Sequence, residues 1–166
     1  SGHLGELAEM YSEKITECNV DYDVIFGPSY KGIPLAAAVA TVLNQQASKK
    51  IPICFDRKEE KDHGEGGALV GSVKNKKVLI LDDVLTAGTA LKNSIKLIQD
   101  AGGAISGAII ALDRQEQDEG EQVSKRLVNE LNLPIFSISC LENLVVYLET
   151  TGLKDTAEKL KTSLKN

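Results

Sequence analysis

Short apolar runs at residues 24–26, 51–55, 78–81, 108–112 and 135–139, separated for the most part by helical patterns, constrain this chain more than any other feature. Runs this short and this uniformly apolar read as strands covered on both faces. Strands alternating with helices imply a mostly parallel central sheet flanked by helices, an α/β fold. Leu4, Leu7, Ala8, Tyr11, Ile15 and Cys18 recur at helical spacing, so an amphipathic helix is predicted to open the chain. Further helices are predicted over 36–43, 90–101 and 123–131, with a last surface helix in 152–166. The 166 residues suit a single domain, 1–166, with no repeat or linker to divide it.

Residues 57–71 break this pattern. They are polar and glycine-rich, lie between two strand signals and carry no helical periodicity, which predicts a long functional loop. The stretch gathers Arg57, Lys58, Lys61 and His63, interleaved with Glu59, Glu60 and Asp62 so that the formal charge of 57–63 cancels. Two readings fit: a solvated, charge-mixed loop, or a lid that carries cations and a proton donor onto a polyanion.

Open parallel sheets bind ligands beyond the carboxyl ends of their strands. After 78–81 come Asp82, Asp83, Val84 and Leu85, then Thr86, Ala87, Gly88, Thr89 and Ala90 at the start of a helical pattern. Small hydroxyl residues and a glycine at a helix N-terminus present free N–H groups to a phosphate. The two carboxylates instead require a cation or hydroxyl groups, and a sugar phosphate with Mg²⁺ near Asp82 and Asp83 satisfies both needs. The plainer alternative is a solvated acidic turn before an ordinary helix start. After 24–26, Gly27-Pro28-Ser29-Tyr30-Lys31-Gly32 forms a glycine-bounded turn to which Lys31 adds a positive charge; alone, it is only a turn. Of the three arginines, Arg57 and Arg114 follow strand signals closely, whereas Arg126 falls in a helical pattern.

Composition removes other classes. With 24 acidic against 19 basic side chains the net charge is -5, which disfavours a broad nucleic-acid-binding face. No apolar stretch approaches a membrane span and residues 1–10 lack a signal-peptide layout, so a soluble, cytoplasmic protein is expected. Cys18, Cys54 and Cys140 form no Cys-x-x-Cys pair and are read as buried thiols. His3 and His63 are too far apart to suggest a histidine metal site. Residues 64–66 lack the third glycine of a dinucleotide fingerprint, 66–72 lack the lysine of a triphosphate loop, and no Gly-x-Ser-x-Gly elbow occurs.

VLILDDVLTAGTA at 78–90 resembles the phosphoribosyl pyrophosphate (PRPP) signature of the type I phosphoribosyltransferases. FDRKEEKDHGEGG at 55–67 resembles the catalytic loop of the orotate phosphoribosyltransferase family, and GPSYKGIP at 27–34 and ALDRQE at 111–116 follow that family's pattern in the same order. The resemblance runs from the first helix to about residue 150 and implies a Rossmann-like type I phosphoribosyltransferase core. It also implies a Mg²⁺-dependent reaction of PRPP with orotate to give orotidine 5′-monophosphate and pyrophosphate, a step of pyrimidine (UMP) biosynthesis.

The same resemblance implies residue roles. Thr86, Ala87, Gly88 and Thr89, flanked by Val84, Leu85 and Ala90, would hold PRPP at its 5′-phosphate, and Asp82 and Asp83 would engage the ribose hydroxyls near Mg²⁺. Tyr30 and Lys31 would line the pyrophosphate and base region, with Thr86 and Arg114 also meeting orotate. Arg57, Lys58, Lys61 and His63 would contact pyrophosphate; Lys58, Lys61 and His63 join Asp82 and Asp83 as the catalytic set. A homodimer sharing the 57–71 loop between subunits is the implied unit. In that family a segment resembling Lys-Ser-Gly-Arg-x-Ser-Pro-Tyr-Phe-Phe precedes the first helix and helps to cradle orotate. This chain starts after it, which implies an intact PRPP half, an incomplete orotate cradle, and a non-catalytic PRPP-binding module as the alternative. A purine or uracil phosphoribosyltransferase is disfavoured by KDHGEGG at 61–67.

Overall fold

The predicted strands and helices are present in the computed structural model, which describes residues 2–46, 50–57 and 68–163. In chain order the elements are α1 (His3–Cys18), β1 (Val24–Phe26), α2 (Gly32–Gln46), β2 (Ile53–Asp56), β3 (Leu69–Val70), β4 (Lys77–Leu85) and α3 (Thr89–Asp100). They continue with β5 (Ala104–Asp113), β6 (Gln117–Asp118), β7 (Glu121–Gln122), α4 (Val123–Leu131), β8 (Ile135–Cys140), α5 (Leu141–Thr150) and α6 (Lys154–Ser163). Six strands form one sheet in the order β3-β2-β1-β4-β5-β8, parallel throughout except that β3 runs antiparallel along β2. The chain winds from β1 outward to β2, then returns to lay β4 against the other side of β1, so the sheet changes winding direction between β1 and β4. Such a switch point leaves a crevice at the carboxyl ends of the two strands.

Side-chain alternation sorts the core into two layers. Val24, Phe26, Val78, Ile80, Ala108 and Ile110 pack with Leu91, Ile95 and Ile98 of α3 and Val123 and Leu127 of α4. Their neighbours Ile25, Leu79, Leu81 and Ile109 point the other way, onto Ala8, Tyr11 and Ile15 of α1 and Leu35, Ala36, Val39 and Leu43 of α2. Each fully buried aliphatic side chain in these layers is worth roughly 1.5–3 kcal/mol, which is why runs of three or four residues suffice to fix a strand. α1 and α4 each end on an asparagine, Asn19 and Asn132, in the left-handed region.

Several boundaries differ from the expectations. The acidic pair lies inside β4 rather than beyond its end, because pairing with β5 continues through Asp82 opposite Ile110 to Leu85 opposite Asp113. Ile80 and Leu85 nevertheless enter the same core layer although they stand five positions apart, an odd spacing, so side-chain alternation changes phase across the acidic pair. α2 begins at Gly32 rather than at residue 36, with Pro34 accommodated in the first turn. β3, the β6–β7 hairpin and α5 were not anticipated. Of the three cysteines only Cys54 is buried; Cys18 and Cys140 are half-buried, which corrects the reading of all three as interior thiols. Among the described residues no helix is long and apolar enough to cross a membrane.

Candidate active site

Three turns meet at the switch point. The first leaves β1 at Gly27 and closes at Gly32, whose N–H donates to the Pro28 carbonyl at 2.9 Å. The two glycines face each other so closely that a Cβ on Gly27 would sit 2.2 Å from the Gly32 carbonyl oxygen, and only glycine allows this closure. The Ser29–Tyr30 peptide within the turn is cis. Asp56, at the end of β2, anchors the turn from the side: the Ser29 N–H donates to its Oδ1 at 2.5 Å and the Ser29 hydroxyl to its Oδ2 at 2.7 Å. Tyr30 and Lys31 then project from the turn, both largely exposed.

The second turn is the end of β4 and its passage into α3. Lys31 Nζ lies 3.3 Å from Asp83 Oδ2, so the first turn and the acidic pair share one face of the crevice. Asp82 is the deeper carboxylate. Its Oδ1 accepts the Asp83 N–H at 2.9 Å, and its backbone carbonyl accepts the hydroxyl of the fully buried Tyr11 at 2.5 Å. Burial holds the Asp82 carboxyl above the usual carboxylate range, with the Asp83 charge adding to the effect and Lys31 opposing it. Burial likewise raises the Tyr11 phenol, aided by Asp82, so Tyr11 serves as a neutral hydrogen-bond donor.

Thr86, Ala87 and Gly88 form the bend that follows. Gly88 is the N-cap of α3 at φ 78° with no side-chain cap, so the first N–H groups of a 12-residue helix are presented without an intrahelical partner. Such a helix start suits an anion by geometry and by dipole. Thr86 is half-buried and Thr89 exposed, while Leu85 is a core residue that can meet a ligand only through its backbone.

A side chain at Gly88 would also place its Cβ 2.4 Å from Leu127 Cδ1. Gly88→Ala is therefore expected to cost about 1–3 kcal/mol of stability and to displace the turn. Urea unfolding checks this, and an unchanged midpoint would contradict it.

The third turn carries Arg114, just beyond β5. Its N–H donates to the Leu85 carbonyl at 3.1 Å, and its guanidinium lies 3.3 Å from Glu116 Oε1, half exposed to solvent. Arg57 follows β2 on the same edge of the sheet, and its N–H donates to the Ala68 carbonyl at 2.8 Å. Residues 57 and 68 are thereby pinned together beside the Ser29 turn. Lys58, Lys61 and His63 lie outside the described residues.

The donor set suits Mg²⁺ held mainly by substrate. The described residues contain no cluster of three or more His, Cys, Asp or Glu that would cage a metal. The two oxygen-bearing side chains Asp82 and Asp83 match an ion that keeps several waters and takes only one or two protein carboxylates. Tyr11, Ser29 and Asp56 complete the site and were not singled out from the sequence. Asp56 and Ser29 could have been found, since Asp56 directly follows a strand signal and Ser29 stands three positions beyond one; the Tyr11 contact spans 71 positions and leaves no local trace.

Asp82 also yields a stability prediction. A carboxyl whose folded pKa is raised contributes stability that is full below its unfolded value and is lost as pH rises through the folded value. At neutral pH its charge therefore weakens the fold. Asp82→Asn, which keeps an oxygen to accept the Asp83 N–H, is expected to raise the melting temperature at pH 7. The gain should shrink as pH falls from the raised folded value towards the ordinary Asp value and vanish below it; a melting temperature lowered at pH 7 would refute the burial argument.

An open parallel sheet with an uncapped helix start, an acidic pair and a glycine-closed turn at its switch point has the layout of a phosphoribosyltransferase. Residues 3–140 match the phosphoribosyl transferase domain, and the chain belongs to that family. Within it the chain belongs to the orotate phosphoribosyltransferases, enzymes of glycosyltransferase type. It is 46% identical over 160 residues to the orotate phosphoribosyltransferase of Acinetobacter baumannii strain ACICU, covering 95% of this chain and 74% of that protein. It is 45% identical over 146 residues to that of Pseudomonas aeruginosa strain PAO1, covering 87% and 68%. Among solved structures, the orotate phosphoribosyltransferase of Francisella tularensis superposes with a TM-score of 0.80 at 33% identity, covering 98% of this chain and 80% of that one.

Proposed function

We propose that this chain transfers the phosphoribosyl group of PRPP to orotate, giving orotidine 5′-monophosphate and pyrophosphate in pyrimidine biosynthesis. The observation that carries the proposal is the 3.3 Å ion pair of Lys31 with Asp83, which joins the pyrophosphate-side turn to the ribose-side carboxylates across the switch point. The α3 start, with Thr86, Ala87, Gly88, Thr89 and Ala90, holds the 5′-phosphate through backbone N–H groups and hydroxyls. Asp82 and Asp83 accept hydrogen bonds from the ribose hydroxyls. Val84 and Leu85 contribute backbone to the wall between ribose and phosphate.

Orotate enters between Tyr30 and Arg114, with Thr86 close by. A ring nitrogen of orotate gives up its proton and forms its bond to the ribose C1 as the C1–oxygen bond to pyrophosphate breaks, so that one proton is released at the base as one is taken up by the leaving group. Positive charge grows on the sugar and negative charge on the departing pyrophosphate. Asp82 and Asp83 face the first; Lys31, Arg57, Lys58, Lys61 and His63 meet the second, and His63 can supply a proton to the leaving oxygen. When bound, Mg²⁺ orders the phosphates and neutralises part of their charge. Closing 57–71 over the site excludes water that would hydrolyse PRPP. The functional unit is a cytoplasmic homodimer in which 57–71 serves the neighbouring subunit.

Steady-state assay with PRPP, Mg²⁺ and either orotate or adenine tests the proposal. Turnover with orotate alone is expected. PRPP binding without orotidine 5′-monophosphate formation at high enzyme concentration would favour the binding-module alternative, and turnover with adenine would overturn the base assignment.

A further inference from the structure

The residue after Arg114 is tied into the fold in an unusual way. Gln115 adopts φ 53°, left-handed backbone on a residue other than glycine. Its own N–H donates to Asp113 Oδ1 at 2.8 Å, so the Asp113 carboxylate, itself only 8% exposed, closes a tight turn around Arg114. The other oxygen, Asp113 Oδ2, accepts Gln122 Nε2 at 3.4 Å, which ties the same turn to the end of the β6–β7 hairpin.

The Gln115 side chain then reaches across to the next strand. Asp113 pairs in register with Cys140, the last residue of β8 and the N-cap of α5. Cys140 makes no side-chain cap to its helix. The Glu142 N–H, one of the orphan donors of the first turn, instead donates to Gln115 Oε1 at 2.9 Å. α5 is capped from outside, by the residue that follows the arginine.

We propose that Gln115 is the positioning residue for Arg114, locking the turn that presents the guanidinium to the N-terminus of α5 and so setting affinity for the base. The inference rests on the reading of Arg114 as an orotate contact. Through its backbone bond to Leu85, Arg114 also adjoins the β4 end, but that bond fixes only its N–H; the direction in which the chain leaves it is set at Gln115.

The test is a double-mutant cycle of Arg114→Ala and Gln115→Met in the steady-state assay, read as KM for orotate, KM for PRPP and kcat. Met keeps the length of Gln but cannot accept the Glu142 N–H. Loss of one hydrogen bond predicts that Gln115→Met raises KM for orotate by about fivefold to tenfold. The PRPP KM should hold constant, and the Arg114→Ala background should show no further rise from the second change.

Additive effects in the double variant, or an unchanged orotate KM with Gln115→Met, would overturn the proposal. An orotate KM unchanged by Arg114→Ala would overturn the base-contact reading on which it rests. If the Met variant does not fold, Gln115→Asn, which suits the left-handed backbone but is one carbon too short to cap α5, must give the same KM split.

Discussion

Asp83→Asn is expected to lower kcat/KM for PRPP by about 10²–10³-fold while leaving the melting temperature nearly unchanged. The two halves of that expectation have separate causes. The partner of Asp83 in the free protein is Lys31, whose side chain is 84% exposed against 39% for Asp83. A surface pair of this kind contributes about 0–1 kcal/mol to folding, so little stability is at risk. In the proposed complex the same carboxylate faces ribose hydroxyls and the charge that develops at C1, where an amide supplies an oxygen but no negative charge. PRPP titration and single-turnover rates would separate the contributions. If both affinity and rate survive the change, the assignment of the acidic pair to the ribose is wrong.

In the proposed site Asp82 and Asp83 thus divide two costs between them. Asp82, held by its neighbour's N–H and buried enough to resist ionisation, weakens the fold at neutral pH. Asp83, half-exposed and paired with Lys31, costs little until substrate arrives.

The strands that build this site were legible because burial on both faces makes them uniformly apolar: Val24–Phe26 is β1 without adjustment, and the run at 135–139 is β8 within one residue. The helix over Val123–Leu131 was equally clear, since Val123 and Leu127 fall four apart on its buried side. The end of β4 was not legible. Two aspartates read as a loop, whereas the backbone there still pairs with Ile110 to Asp113 of β5, a partner that local sequence does not reveal.

The start of α2 was hidden for a related reason. Gly32-Ile33-Pro34 carries turn residues, and only the closure of Gly32 onto Gly27 shows why a helix must begin there. β3 is two residues long, and α5 buries only Leu141 and Val145 while exposing Val146 and Tyr147, too narrow an apolar stripe to stand out. Among the described residues, those given substrate contacts in the proposal lie within the last residues of a strand or just beyond it, where local sequence points to them. Those that hold them, Tyr11 under Asp82 and Asp56 under Ser29, act across 71 and 27 positions.

Lys61→Ala is expected to reduce kcat by about 10²–10³-fold with PRPP affinity little changed. The asymmetry follows from where charge appears. In the proposed reaction PRPP brings its pyrophosphate already charged and neutralised in part by Mg²⁺, so one lysine adds modestly to binding. As the C1–oxygen bond breaks, further negative charge collects on the departing oxygens, and a cation directed at them stabilises that state more than the bound substrate. Lys61 is outside the described residues, but its stretch is bracketed by Arg57 and Ala68, joined at 2.8 Å on the carboxyl edge of the sheet beside the Ser29 turn. A rate equal to that of the unaltered enzyme would remove 57–71 from the chemistry. Mixing Lys61→Ala chains with Asp83→Asn chains tests the sharing of that stretch between subunits. A mixed dimer would combine an intact acidic pair from one subunit with an intact Lys61 from the other, so turnover should reappear on mixing; if each subunit used its own stretch, every site would carry one defect and the mixture would stay inactive.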